Sequence, residues 1–136
     1  MKIHAYLNFD GRCAEAFRFY ERVLGGAIEM MQIHGESPMR DQVPADWHDA
    51  VMHVSMKVGD QLLMGSDAPG EYFQKPQGFS VSLQIDEPAD AERIYAELAD
   101  GGQVRMPLQK TFWAGRFGML TDRFGTPWIV NCEKGD

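Results

Sequence analysis

One pattern occurs twice in this chain. Asp10 and Asp86, Gly25 and Gly101, and Gly26 and Gly102 are each 76 positions apart. At the same spacing Ile28 and Met30 meet Val104 and Met106. A repeat of this length constrains the fold more than any single motif, because each copy must build the same local structure. In the first copy, Ile3, Ala5, Leu7 and Phe9 alternate with His4, Tyr6 and Asn8, which predicts a half-buried strand over residues 3–9. Cys13, Ala16, Phe17, Tyr20, Val23 and Leu24 form a helical stripe that Gly25-Gly26 ends. Residues 27–34 read as a strand, and residues 35–49 as a long polar loop with Pro38 and Pro44. Two further strands, 50–58 and 61–66, flank Gly59-Asp60, a hairpin signal.

The second copy follows a Pro- and Gly-rich linker at residues 67–78. Residues 79–85 alternate again. Asp86 is expected to cap a helix with Pro88 in its first turn and Ala91, Ile94, Tyr95 and Leu98 as its stripe. Residues 103–110 read as a strand. The closing hairpin runs from 112 to 121, turns at 122–125 and returns over 127–131. At the hairpins the offset falls to 66, aligning Gly59 with Gly125. The expected fold class is therefore α+β: a single domain, 1–136, built from two βαβββ modules at 1–68 and 78–136.

A chain of 136 residues with 44% hydrophobic content can bury its own core. Its net charge of −7 argues against nucleic acid and against an anionic membrane as partners. The opening MKIHAYLNFD has no apolar leader core, and no apolar run reaches 18 residues. Cys13 and Cys132 lack CxxC spacing and read as reduced, buried thiols. These features together give the expectation of a cytoplasmic protein.

Each helix must cover one face of its sheet and leave the other open. The repeat then pairs His4 with Ser80, Tyr6 with Ser82 and Asn8 with Gln84, two polar rows on the same side. The ordinary fate of such rows is to face water. Two related rows, with surplus aromatics in the closing hairpin, point instead to a cleft that binds a small molecule. Trp113 and Asn131 are expected to join its lining, and Arg116 to clamp an anionic group. His34, His48 and His53 have no Cys or Glu at ligand spacing and read as hydrogen-bonded or surface histidines.

The strings AEAFRFYERVLGG and KTFWAGRFGMLTDRFGTPWIVN resemble the PhnB-like branch of the vicinal oxygen chelate superfamily, which includes glyoxalase I, fosfomycin and bleomycin resistance proteins and extradiol dioxygenases. The resemblance spans nearly the whole chain. It implies paired modules forming an open, cupped sheet, and a homodimer. Some members carry a demethylubiquinone methyltransferase label, but no glycine-rich nucleotide loop is present here to match one. In metal-dependent members, His, His and Glu from the first and last strands hold a divalent cation. The matching positions here are His4, Ser80, Leu63 and Ile129, with Glu133 reachable only by a register shift. The ligand set is incomplete, so no metal and no other cofactor is expected. Two functions follow from the resemblance: a metal-free small-molecule binder, or a divalent-metal-dependent lyase, isomerase or dioxygenase of glyoxalase type.

Overall fold

A computed structural model describes residues 1–135. The chain divides into two compact units, Met1–Gln74 and a second from Lys75 onward. The division falls inside the linker marked in the sequence.

The first unit contains β1 (Ala5–Phe9), α1 (Cys13–Leu24), β2 (Ala27–Ile33), β3 (Val51–Val58) and β4 (Gln61–Asp67). Its sheet has the order β1-β4-β3-β2. β1 runs parallel to β4, and the other pairs are antiparallel. α1 lies against β2, β3 and β4. Its stripe of Cys13, Ala16, Phe17, Tyr20 and Val23 is fully buried, as are Val54 and Met56 of the sheet. Phe17 makes edge contacts with Phe9 and Tyr20 at 6.1 and 5.6 Å. Gly25 ends the helix in the left-handed conformation at φ 69°, which L side chains rarely adopt. The strand begins at Ala5, not Ile3, and Ile3 is 91% exposed.

The second unit repeats this order with β5 (Val81–Gln84), α2 (Pro88–Ala99), β6 (Gln103–Gln109), β7 (Arg116–Thr121) and β8 (Pro127–Cys132). The sheet order β5-β8-β7-β6 matches the first unit strand for strand. α2 lies on β6, β7 and β8 and buries the expected Ala91, Ile94, Tyr95 and Leu98. Its cap differs from expectation. Glu87, in extended conformation, is the N-cap residue, and Pro88 opens the helix, so Asp86 lies one residue too early. Proline suits that first position because its missing N–H would have no helical acceptor there.

The two hairpins are less alike than their glycines suggest. The first turns on two residues, Gly59 and Asp60, between paired Val58 and Gln61. The second needs five, residues 122–126, between paired Thr121 and Pro127. Asp122 organises the longer turn. Its Oδ1 accepts from the Phe124 and Thr126 amides at 2.9 and 3.0 Å, and its Oδ2 from the Trp128 indole at 2.8 Å. Strand register therefore replaces the Gly59/Gly125 alignment: Tyr6 stands beside Met64, and Ser82 beside Ile129. Leu63, expected to match Ile129, instead faces the helix side at 7% exposure.

Candidate functional site

The helix-free face of the second sheet carries the clearest polar construction. Gly118 and Leu120 of β7, and Trp128, Val130 and Cys132 of β8, are buried on the helix side. Strand alternation turns Phe117, Met119, Ile129 and Asn131 to the opposite face. Ser82 and Gln84 stand there beside Ile129 and Asn131. The Asn131 amide donates to Gln84 Oε1 at 2.8 Å, and the Gln84 amide donates to Ser82 Oγ at 3.1 Å. Both bonds run away from Asn131. Its own Oδ1 is buried and has no partner among the described residues. Phe117 pairs with Asn131 across β7 and β8, and Trp113 packs edge-on against Phe117 at 5.3 Å. Four expected site residues, Ser82, Gln84, Trp113 and Asn131, are thus gathered on one face.

Trp113 reaches that face by an unexpected route. It precedes β7 in an irregular stretch, where the Thr111 hydroxyl accepts from the Ala114 amide at 3.1 Å. The close approach that follows requires glycine at 115, since a Cβ there would collide with the Lys134 backbone. Trp113 remains 52% exposed. Trp128, the other tryptophan of this hairpin, is fully buried in the core.

Arg116 does not join them. It shares the helix side with Gly118 and Leu120, and its Nε donates to Glu92 of α2 at 3.0 Å. Its Nη1 donates to the Gly115 carbonyl at 2.7 Å. An anion clamp at Arg116 is corrected on this ground: alternation from buried Gly118 turns the side chain towards α2.

The matching face of the first sheet holds Tyr6, Asn8, Met64 and Ser66. The Ser66 hydroxyl donates to Asn8 Oδ1 at 3.3 Å. Tyr6 reaches across β4 to His53 of β3, sharing a 3.0 Å hydrogen bond with Nδ1 and stacking at 5.6 Å between ring centroids. His53 is thus hydrogen-bonded, one of the two fates expected of it, but the sequence does not name its partner. Its meeting with Tyr6 depends on a strand order that local patterns do not encode. His4 and Ser80 each precede their strands rather than lying within them. His48 staples the long loop, its Nε2 lying 3.1 Å from both the Arg40 and Val43 carbonyls.

The positions that the resemblance matches to metal ligands carry few donors. Leu63 is a core hydrocarbon, Ile129 occupies the last-strand position, and Glu133 lies beyond β8. Among the described residues, no three His, Cys, Asp or Glu side chains converge as ligands. Three such donors are the usual minimum for a catalytic site. The thiols offer no nucleophile either: both cysteines are buried, and burial, then the Asp67 charge, pushes the Cys13 thiol far up.

The family model described as 3-demethylubiquinone-9 3-methyltransferase matches residues 1–131. The chain belongs to this family. Protein YjdN of Escherichia coli K12 is 32% identical, over 98% of this chain and 97% of its own. The structure of PA1353 from Pseudomonas aeruginosa is 48% identical, covers 98% of both chains and has a TM-score of 0.87. The fosfomycin resistance protein FosX of Mesorhizobium loti shares the fold at 15% identity, with a TM-score of 0.63 over 96% of this chain and 90% of its own. The likeness to FosX shows that the chain has the glyoxalase/bleomycin-resistance fold. Among the described residues, no helix is long and apolar enough to cross a membrane.

Proposed function

We propose that this protein binds a small organic molecule on the helix-free face of its second sheet, through hydrogen bonds and ring contacts and without the superfamily metal. The observation that carries this is Asn131 Oδ1, a buried acceptor with no partner among the described residues. Such an atom costs about 1–3 kcal/mol until a donor reaches it. Beside it the Trp113 ring, braced edge-on by Phe117, offers a flat apolar face. A ligand with a planar ring and an adjacent N–H or O–H group would answer both features.

The test is a thermal-shift screen of planar heterocycles, followed by titration of the hits with tryptophan fluorescence. Hits bearing a ring donor are expected to lose about tenfold in affinity on Asn131→Ala and again on Trp113→Ala. Hits indifferent to both substitutions would sink the proposal. Zinc, nickel and manganese are titrated into dialysed protein by calorimetry, with no micromolar one-to-one binding expected. Such binding, lost on His4→Ala or Glu133→Ala, would favour the metal-dependent alternative.

A further inference from the structure

A cavity of about 390 Å³ lies within the first unit and shares no residue with the sheet faces described above. Its size falls in the range of small-molecule sites. Its walls are Val43, Pro44, Trp47 and Tyr72, with His34 and Glu71 as the ionisable groups. Two short 3-10 turns, Ala45–Trp47 and Gly70–Tyr72, present the two aromatic residues. Both turns are closed by backbone bonds of 2.9 Å, Trp47 to the Pro44 carbonyl and Tyr72 to the Pro69 carbonyl. The preceding prolines fix φ at −55° and −71°. The His48 staple to Arg40 and Val43 holds the loop, and the Gly35 amide donates to the His48 carbonyl at 2.8 Å. The walls are therefore set before any ligand arrives.

Two aromatic residues in a mostly apolar lining, with Glu71 as its one carboxylate beside the polar Gln42 and His34, select for charge as well as shape. Ring faces attract cations through their quadrupole and give no such attraction to anions. Glu71 is exposed and has no ion-pair partner among the described residues. The net charge of −7 adds a field of the same preference. We propose that this cavity binds a small organic cation, an ammonium group on an apolar body, with Trp47 and Tyr72 as aromatic walls and Glu71 as counter-charge.

The test uses three probes of similar size: benzyltrimethylammonium, benzyl alcohol and benzoate. Each is titrated into the full chain by calorimetry and tryptophan fluorescence. The cation is expected to bind saturably at millimolar concentration or better, and benzyl alcohol several-fold more weakly. Benzoate is expected not to bind. Trp47→Ala should abolish cation binding. Tyr72→Ala and Glu71→Gln should each weaken it about two- to fivefold. These last two residues are exposed, Tyr72 at 73%, so their substitution tests the site even if Trp47→Ala does not fold. Equal affinity for benzoate or benzyl alcohol would overturn the proposal. So would absence of cation binding up to about 10 mM (a free energy near 3 kcal/mol), or cation binding unchanged by both Tyr72→Ala and Glu71→Gln.

Discussion

Asp67 is the residue whose role was least visible beforehand. In the sequence it opens a Pro- and Gly-rich stretch and reads as the start of a linker. In the fold it ends β4, and its buried carboxylate ties three segments together. Oδ1 accepts from the Gly11 and Cys13 amides at 2.8 and 3.0 Å, and Oδ2 from the Val51 amide at 2.9 Å. The partners lie 56, 54 and 16 residues away, beyond any local pattern. Asp67→Ala would leave three N–H groups without an acceptor and is expected to cost about 3 kcal/mol or more in urea denaturation. Asp67→Asn keeps one acceptor but turns an amide N–H towards a donor, so a smaller loss is expected. A neutral result for Asp67→Ala would refute this role. Beside it, Cys13 gives a pH dependence. Burial first, then the Asp67 charge, raises its thiol above the unfolded value of about 8.5. Above that pH the unfolded chain releases the proton and the folded chain keeps it. Stability is therefore complete below pH about 8.5 and declines as the pH rises further. The urea midpoint should fall between pH 8 and 9.5, and fall less in Cys13→Ala. Equal slopes would count against it.

Elements were legible where one stripe decided them. The helix at Cys13–Leu24 and the buried face of α2 follow from apolar spacing alone. Strand ends and turn lengths were not, because side chains alternate with a period of two and one residue of uncertainty reverses a face. Arg116 shows the consequence: the motif was visible, but its side was fixed only by the register opposite Cys132. The tight packing of α2 on β7 was equally hidden. A Cβ at Gly118 would lie 2.7 Å from the Tyr95 ring and 2.9 Å from the Leu108 backbone. The Tyr95 hydroxyl is held within 2.9 and 3.1 Å of the Met106 and Met119 carbonyls, so the ring has little room to retreat. Gly118→Ala is expected to destabilise by about 1–3 kcal/mol, measured by thermal and urea unfolding. A change below half a kcal/mol would mean that the helix can shift on its sheet.

At the scale of the molecule the repeat was the most legible feature. It survives in two sheets of the same strand order, one in each unit. Assembly rests on a different observation. In each sheet the strand after the helix is an edge, β2 in the first and β6 in the second. Both edges expose large apolar residues: Met30 at 44%, Val104 at 51% and Met106 at 37%. Met30 and Met106 are repeat partners, so the two edges present related surfaces. Pro107 and the register shift after Met106 interrupt further pairing along β6, which discourages open-ended strand addition there. Apolar residues on interrupted edges favour cover by side-chain packing from a second copy, in a closed association. The chain is expected to run as a homodimer at micromolar concentration by light scattering. Met30→Lys and Met106→Lys together should shift it towards monomer while leaving the circular dichroism unchanged. A monomer mass for the unmodified chain would refute the association. A dimer indifferent to both substitutions would move the interface away from these edges.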